Sequence, residues 1–230
     1  MSKLDPVPIT IDVFSDVMCP WCLIGFGQLS KALASLEGEI DAEVIWRPYE
    51  LNPDMPQEGE QQAKYLQRKY GRSERQGAEL HEQMKYLANE AGVSLSYAGE
   101  DDPPSAMMWN TRAAHKILMW ALETAGAKAQ TKLKLAFFNL HFNQRKNISD
   151  PMVLIDAAEK VGFDRTMAHD ALMDSALTDR VIAEEEKAWD LNISGVPAMI
   201  INDNFMIPGA QSAETYVNVL RRLAMKLQDG

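Results

Sequence analysis

Residues 8–22 have the sequence PITIDVFSDVMCPWC, and this stretch decides the fold. Apolar and polar residues alternate over residues 8–15, which is typical of a β-strand. After the second cysteine, apolar residues recur at helical spacing until a glycine ends the pattern. Pro20 then falls in the first turn of that helix, where a missing N–H is tolerated. The pattern therefore predicts that Cys19 lies where a strand meets a helix and that Cys22 lies one turn inside the helix.

The two cysteines of this motif are the only cysteines among 230 residues, and their spacing of three arises by chance roughly one time in a hundred. A helix N-terminus favours an anion, so we expect the Cys19 thiol to ionise more readily than a free cysteine. Its thiolate can attack a disulfide, and Cys22 can resolve the mixed disulfide that forms. The Asp16 carboxylate opposes this ionisation if it lies close by. Phe14 and Trp21 are expected to shield the pair and to offer an apolar surface to a partner.

Three other interpretations of the cysteine pair stay open at this point. A zinc site needs four ligands, but the chain has no second CxxC motif and no histidine near the first. A structural disulfide closes only a very small loop at this spacing, and it is disfavoured in a reducing compartment. Two inert buried thiols are the third alternative. The junction of strand and helix favours a redox-active dithiol over all three.

The composition excludes several classes of protein. Hydrophobic residues make up 46% of the chain and charged residues 24%, which suits a globular core and excludes disorder throughout. Two cysteines cannot staple a fold of this length, and no apolar run approaches the about 18 residues of a membrane span. The formal net charge is −10, whereas nucleic-acid binders need a basic face, so we expect no nucleic-acid partner.

The N-terminus carries no apolar segment of the kind that secretory leaders have. Asp5, Pro6 and Pro8 occupy the positions where that segment would lie. We therefore expect the protein to stay in a reducing cytoplasm.

The remaining chain predicts a second strand, a long helical segment and a hairpin. Residues 41–50 alternate as a strand, and the helix between it and the first strand predicts a parallel pair. From Glu58 to Leu191 nearly all residues follow a helical period. Residues 195–202 and 205–208 predict two strands that pair across a turn at Asp203-Asn204, followed by a last helix.

This order predicts an α/β sheet in two halves, interrupted by a large all-helical inserted domain. Residues 1–55 and 192–230 form one domain in this prediction, and residues 56–191 form the insertion. The order, with CPWC after the first strand and Val196-Pro197 before the third, resembles a thioredoxin fold interrupted by a helical domain, as in the DsbA family, and within it the FrnE-like branch; the first of the two domains is then the thioredoxin-like one. The resemblance rests on residues 14–22, Asn110, Thr111, His115, residues 195–198 and residues 209–211.

The resemblance implies a thiol–disulfide oxidoreductase with Cys19 as nucleophile and Cys22 as resolving thiol. It implies that the Val196–Pro197 bond is cis, that its loop packs against Cys19, and that the Val196 backbone pairs with a bound substrate strand. The implied substrates are disulfides in proteins or small molecules, with glutathione as a candidate co-substrate and no metal or bound cofactor. The secreted oxidases of the family carry His where this chain has Trp21, so we expect a less oxidising site.

Two rival functions remain, because one fold hosts many chemistries. The 2-hydroxychromene-2-carboxylate isomerases and kappa-class glutathione transferases share the interrupted layout, but they generally have Ser at the position of Cys19 and need no second thiol. A chaperone-like binding module that uses the inserted helices is the other rival. The substrate, the direction of exchange and the choice between monomer and homodimer stay open.

Two expectations concern polar residues of the helical segment. His115 and His141 lie beside aromatic residues in helical register, so we expect core or boundary positions rather than catalytic ones. The run Glu184–Glu186 is expected to form a solvated face.

Overall fold

The computed structural model describes residues 5–229; residues 1–4, which enter the expectation about a leader, and Gly230 lie outside that range. In chain order the elements are β1 (Val7–Ser15), α1 (Pro20–Ser35), β2 (Ile40–Pro48), β3 (Glu60–Gln61), α2 (Gln62–Tyr70), α3 (Glu74–Ala91), β4 (Met107–Met108), α4 (Arg112–Phe138), a π-helical turn (Asn139–Asn143), α5 (Pro151–Lys160), α6 (Arg165–Met173), α7 (Ser175–Asp190), β5 (Ala198–Ile201), β6 (Phe205–Pro208) and α8 (Ala213–Asp229). Within the described range, no helix combines the length and apolarity that a bilayer span requires.

The main sheet has the strand order β2-β1-β5-β6. β2 runs parallel to β1, as the intervening helix predicts, and β5 and β6 are added antiparallel. The alternation in β1 arises from burial, since Ile9, Ile11 and Val13 are all in the core. The predicted fold class is confirmed: an α/β thioredoxin-like sheet with a helical insertion between its halves.

The predicted hairpin is also confirmed, with residues 202–204 connecting β5 to β6. Asn202 and Asp203 adopt left-handed φ angles of 48° and 58°, which Asn and Asp tolerate better than most residues. The backbone N–H of Asn202 donates to the Thr10 carbonyl at 3.0 Å, and the side-chain oxygen of Asn202 accepts from the Thr10 N–H at 2.8 Å. The turn is thereby tied to the central strand.

The inserted segment departs from its helical prediction at one place. Residues Glu60–Gln61 pair antiparallel with Met107–Met108 as a two-stranded ribbon, so the prediction of helix from Glu58 onward is wrong there. Two residues are too few to produce the alternation that identifies a strand. α4 is kinked at Gly126, which has a φ of 79°.

The cysteine motif lies between two hydrophobic cores. Cys19 and Cys22 belong to the core formed by the main sheet, α1 and α8. Val17 and Met18, which immediately precede them, belong to the core of the inserted helices. The connection from β1 to α1 therefore joins the two cores, and the dithiol is positioned from both sides.

Candidate active site

The dithiol is placed by the start of α1, as the sequence predicts. Cys19 is the N-cap residue, with an extended backbone at φ −84° and ψ 112°, and Pro20 follows in the first turn. The Cys22 N–H donates to the Cys19 carbonyl at 3.1 Å, and the Cys19 N–H donates to the Asp16 carbonyl at 3.2 Å. Both cysteines are free thiols. The backbone around the two sulfurs is therefore fixed by hydrogen bonds on both sides of the pair.

The two cysteines differ in how much solvent they meet. Cys22 is fully buried, whereas Cys19 keeps 4% of its surface and the neighbouring Trp21 keeps 37%. An incoming disulfide can therefore reach only Cys19, and it meets the Trp21 ring beside it. Phe14 is buried against Ala188 below the sheet, so the expectation that it offers a surface to a partner is wrong. Its strand is paired on both sides, which leaves its side chain inside the core.

The loop before β5 packs against the first cysteine. The Val196–Pro197 peptide bond is cis, and the Val196 carbonyl oxygen lies 3.6 Å from the Cys19 sulfur, within reach of a thiol hydrogen bond. The Gly209 N–H donates to the Pro197 carbonyl at 2.8 Å and holds the loop from its other side. The loop thus lies where a substrate bonded to Cys19 would pass.

A glycine of α1 makes this close packing possible. A Cβ on Gly25 would lie 3.2 Å from the Pro197 ring and 3.3 Å from the Ala210 Cβ, both shorter than ordinary carbon–carbon contacts. Next along the chain, the Gln211 side chain donates to the Pro208 carbonyl at 2.7 Å, and its backbone N–H donates to the Tyr216 hydroxyl at 3.1 Å. The Gly-Ala-Gln segment therefore supports the proline loop.

Asp16 is fully buried beneath the dithiol. Its carboxylate accepts the N–H groups of Met18 at 3.1 Å and Leu51 at 2.8 Å, and the Thr111 side chain lies beside it and helps to lower its pKa. Burial nevertheless raises the pKa of Asp16, because desolvation outweighs these hydrogen bonds. The His115 Nε2 atom lies 3.9 Å from the Asp16 carboxylate and has no hydrogen-bond partner among residues 5–229.

The Asn-Thr/His pattern therefore divides into two roles. Burial lowers the pKa of His115 well below its usual range, so the imidazole is neutral. His115 and His141 are both buried, and the expectation of core positions is confirmed for them. Asn110 lies apart from the sulfurs and donates its amide to the Met55 carbonyl at 3.1 Å. Of the three residues in this pattern, only Thr111 and His115 lie near the dithiol, where both are close to Asp16.

Lys134 is the residue that the sequence analysis missed. Its side chain is fully buried, and its ammonium lies 3.3 Å from the Ser15 carbonyl oxygen and over the rings of Trp46 and Phe138, at 5.2 and 5.1 Å from their centres. Burial lowers the pKa of Lys134 to about 8, although the charges of Cys22 and others nearby oppose this. A single lysine in a helical pattern indicates a solvated position by default, and only its place three and four residues before Phe137 and Phe138, on the same face of the helix, could have signalled otherwise.

The ionisation of the two thiols differs from the prediction. The adjacent Cys22 thiol, together with burial, raises the pKa of Cys19 well above its usual range. Burial also opposes ionisation of Cys22, but the neighbouring Cys19 and Ser15 side chains and the charge of Lys134 outweigh it and lower the pKa of Cys22. The expectation that the Cys19 thiol ionises more readily than a free cysteine is therefore wrong for the free dithiol. The two directions favour the first ionisation at the buried sulfur, within a pair whose proton losses are linked.

A second buried charge cluster lies beside the first. Arg112 forms a short ion pair with the buried Glu50, and the Glu185 carboxylate accepts the Glu50 N–H at 2.9 Å. Burial and the Glu50 charge raise the pKa of Glu185 to about 8. The prediction that Glu184–Glu186 is a solvated face is therefore wrong for Glu185, because α7 packs against the end of β2 at this point.

No metal site accompanies the thiols in the part of the chain that the structure describes. Over residues 5–229, no three His, Cys, Asp or Glu side chains come close enough together to hold a metal ion. The features that do surround the pair are a helix N-terminus, a proline loop at the outer sulfur and a buried lysine at the inner one. Together with the sheet order, these features define a thioredoxin-fold protein with a dithiol site and a helical insertion.

Comparison with known proteins agrees with this class. Residues 10–221 match the profile of the DSBA-like thioredoxin domain. The match spans most of the chain, and the protein belongs to this family.

Individual relatives cover nearly the whole chain. The crystal structure of probable DsbA oxidoreductase SCO1869 from Streptomyces coelicolor is 27% identical, covers 95% of this chain and 90% of its own, and has a TM-score of 0.83. Uncharacterized protein YwbO of Bacillus subtilis (strain 168) is 28% identical over 210 residues, which are 90% of this chain and 94% of YwbO. A 2-hydroxychromene-2-carboxylate isomerase structure is 19% identical, covers 96% of this chain and 98% of its own, and has a TM-score of 0.65. That last likeness extends to the fold alone.

Proposed function

We propose that this protein is a thiol–disulfide oxidoreductase that works through the Cys19–Cys22 dithiol. The observation that carries the proposal is the asymmetry of the pair. One sulfur keeps a little exposed surface against the Val196 carbonyl, and the other is sealed one turn deeper in the helix. Nucleophilic exchange needs one accessible thiol and one protected thiol that can reach it. Membership of the DSBA-like family supports the same activity.

The reaction takes place in two exchanges. The Cys19 thiolate attacks one sulfur of a substrate disulfide, forms a mixed disulfide and releases the other substrate sulfur as a thiolate. The Cys22 sulfur then attacks Cys19, so that the Cys19–Cys22 disulfide forms and the second substrate thiol leaves. The substrate gains two electrons and two protons, and the protein loses them. In the opposite direction the same steps form a disulfide in a dithiol substrate.

In this proposal the negative charge of the free dithiol moves from the Cys22 sulfur to the Cys19 sulfur before Cys19 attacks the substrate disulfide. The pKa of Cys22 is lowered and that of Cys19 is raised, so in this proposal a proton passes from Cys19 to Cys22 when a substrate disulfide arrives. Cys19 then receives the charge at the helix N-terminus, where the dipole and free N–H groups stabilise it.

The proline loop and Trp21 are proposed to hold the substrate. The Val196 backbone is half-buried beside Cys19, and in this proposal it pairs with an extended strand of the substrate. Trp21 supplies exposed apolar surface on the other side of the sulfur. Pro197 supports the loop through the Gly209 hydrogen bond and the contact with α1.

The inserted helices are proposed to select the substrate. We keep residues 1–55 with 192–230 as one unit and residues 56–191 as the other. α4 of the insertion supplies Thr111, His115 and Lys134 to the base of the dithiol, so the insertion also tunes the chemistry. We place the protein in the FrnE-like branch and in a reducing cytoplasm, with glutathione as the candidate electron donor; the CPWC sequence with Trp21 between the cysteines supports this.

The experiment that tests the proposal traps the intermediate. Cys22→Ser removes the resolving thiol. A mixed disulfide with glutathione, or with a protein substrate that contains a disulfide, should therefore accumulate on Cys19. Cys19→Ser is the matched control, because it keeps one thiol in the same motif but removes the accessible one. Intact-mass measurement and non-reducing electrophoresis should show adducts on the first variant and not on the second, and a reductant should remove them.

The rival functions predict different outcomes of the same variants. A glutathione-dependent isomerase needs no second thiol, so isomerase activity that survives Cys22→Ser would favour it. A binding module would suppress aggregation of an unfolding client equally well after both cysteines are changed to serine. If no adduct forms on Cys19 and the intact protein does not reduce insulin-type disulfides, the oxidoreductase proposal is wrong.

A further inference from the structure

The fold keeps a lysine where burial is costly. Lys134 has no exposed surface, and among residues 5–229 its ammonium donates one hydrogen bond, to the Ser15 carbonyl at 3.3 Å. An ammonium group taken out of water loses several kcal/mol of hydration, and only nearby negative charge or aromatic faces return part of it. A methionine would fill the same space without this cost. The charge itself is therefore the feature that needs an explanation.

The ammonium is aimed at the dithiol rather than at solvent. It lies 3.3 Å from the Ser15 carbonyl oxygen at the end of β1, and Cys22 belongs to the same buried cluster as Trp46 and Phe138. The rings of Trp46 and Phe138 hold the ammonium from the other side, at 5.2 and 5.1 Å. Lys134 thus lies in the buried surroundings of the sulfur that substrate cannot reach, close enough for its charge to act on that sulfur.

The other charged and titratable groups around Cys22 do not supply a positive charge. Asp16 carries a carboxyl group whose negative charge would oppose a thiolate, and His115 on α4 is held neutral by burial. Tyr216 on α8 faces Cys22 with a phenol that burial keeps protonated. Lys134 is the one cation among the groups that act on Cys22 in the described part of the chain.

We propose that Lys134 is a positioning residue of the dithiol: its buried ammonium stabilises the thiolate of Cys22 and so promotes the resolving step of the exchange. The inference rests on the proposed function for its consequence in catalysis. Its electrostatic part concerns the dithiol alone and can be measured without any substrate. The inserted helices thereby set the reactivity of the sheet's cysteines.

The step in which Lys134 acts is the second exchange. After a substrate R has formed the disulfide Cys19–S–S–R, the Cys22 thiol must lose its proton before it can attack. Its thiolate displaces R–S⁻ from Cys19 and forms the Cys19–Cys22 bond, and the proton ends on the released R–SH. The substrate covers Cys19 during this step. The positive charge that stabilises the Cys22 thiolate therefore has to lie on the buried side of the pair.

A cavity lies beside this buried charge. It has a volume of about 270 Å³ and is lined by β2, α4 and α7, including Lys134 and His115 but neither cysteine. Lys134 itself has no exposed surface, so its charge remains shielded from water on this side as well.

The test compares two neutral variants with one charged variant at the same position. Lys134→Gln retains a donor for the Ser15 carbonyl and loses the charge, and Lys134→Met fills the site with an apolar chain of similar length. Lys134→Arg keeps the charge. The matched control is Lys116→Met, because Lys116 is also nearly buried on α4 but donates to the Leu172 carbonyl in the insertion, at 2.7 Å.

The first readout is the ultraviolet absorbance of thiolate against pH in the reduced protein. The neutral variants should move the first ionisation of the dithiol upward by one pH unit or more, so that tenfold less thiolate is present at neutral pH. Lys134→Arg should restore most of the shift, and Lys116→Met should leave the curve unchanged. An unchanged curve in folded Lys134→Gln and Lys134→Met would overturn the inference.

The second readout is the equilibrium of the dithiol with glutathione. Removing the cation destabilises the reduced form, so the equilibrium should shift about tenfold toward the disulfide, which is about 30 mV for a two-electron couple. The mixed disulfide on Cys19 should also persist about tenfold longer. A shifted absorbance curve without any exchange activity in the wild type would contradict the proposed function alone, whereas normal exchange kinetics in both neutral variants would contradict the role of Lys134.

Discussion

Gly25 offers a way to disturb the proline loop without touching either cysteine. The substitution Gly25→Ala adds one methyl group that would lie 3.2 Å from the Pro197 ring and 3.3 Å from the Ala210 Cβ. Ordinary carbon contacts are about 3.5–4.0 Å, so the loop must retreat by a few tenths of an ångström. The loop carries the Val196 carbonyl, which lies 3.6 Å from the Cys19 sulfur. The substitution therefore widens the gap that a bound substrate strand has to fill.

Two opposing terms set the effect of Gly25→Ala on stability. Alanine is favoured over glycine inside a helix by about 1 kcal/mol, whereas overpacking of a close contact costs about 1–3 kcal/mol. We expect the free energy of unfolding to fall by about 0–2 kcal/mol, which leaves the protein folded at room temperature. Misplacement by 1 Å can cost about a hundredfold in rate, so a few tenths of an ångström should cost about three- to tenfold in disulfide exchange.

Two other helical glycines serve as matched controls for Gly25. A Cβ on Gly77 would meet only the Leu66 side chain, at 4.0 Å, so Gly77→Ala should raise the free energy of unfolding by about 0.5–1 kcal/mol and leave exchange unchanged. A Cβ on Gly27 would lie 2.7 Å from the Ala91 carbonyl oxygen. Gly27→Ala should therefore destabilise the contact of α1 with α3 by about 2 kcal/mol or more, without slowing exchange in the folded fraction.

The assay combines chemical denaturation with the rate of disulfide reduction, each measured on all three alanine variants. The expected pattern is a loss of stability for Gly27→Ala, a loss of rate for Gly25→Ala and neither for Gly77→Ala. The reasoning is refuted if Gly25→Ala exchanges disulfides at the wild-type rate, or if its rate falls only in proportion to the fraction unfolded.

Two further predictions concern charge. Because the pKa of Glu185 is raised to about 8 from an unfolded value of about 4.3, the folded state holds an extra proton between those values. Stability should then fall as the pH rises through that window, by up to about 1 kcal/mol per pH unit. Chemical denaturation at several pH values should show that Glu185→Gln flattens this decline of the free energy of unfolding with pH. The control Glu186→Gln, at an exposed position, should leave the decline unchanged. Equal dependence on pH in both variants would contradict the raised pKa of Glu185. Trp21→His places an imidazole beside Cys19, so the reduction potential should rise, as measured in glutathione buffers; a potential that stays constant or falls would contradict this.

The sequence was sufficient to predict the elements that carry a local pattern. The alternation in β1, the proline after Cys19 and the short apolar run after Val196 each reflect burial or backbone constraints within a few residues. The parallel pair and the hairpin follow from the lengths of their connections. The position of the dithiol at the start of α1 was therefore predictable, and so was the order of the sheet around the insertion.

Long-range burial of charge was not predictable in the same way. Lys134 and Glu185 lie in helices whose other residues include many exposed charges, and only the packing of α4 and α7 against β2 takes these two from solvent. The ionisation of Cys19 was predicted from the helix dipole, but the order in which two thiols lose protons depends on which sulfur faces the lysine. The ribbon of Glu60–Gln61 with Met107–Met108 depends on a pairing between residues far apart in sequence.

The most direct test of the account is a redox titration of the Cys19–Cys22 pair in glutathione buffers, followed by thiol alkylation and intact-mass measurement. The account predicts one cooperative two-electron transition that disappears in Cys19→Ser. Because Trp21 supplies no imidazolium, the midpoint should lie well below the about −120 mV of the strongly oxidising DsbA, toward the glutathione poise of about −220 to −260 mV. A dithiol that forms no internal disulfide at any ratio of glutathione to its disulfide would contradict the central claim.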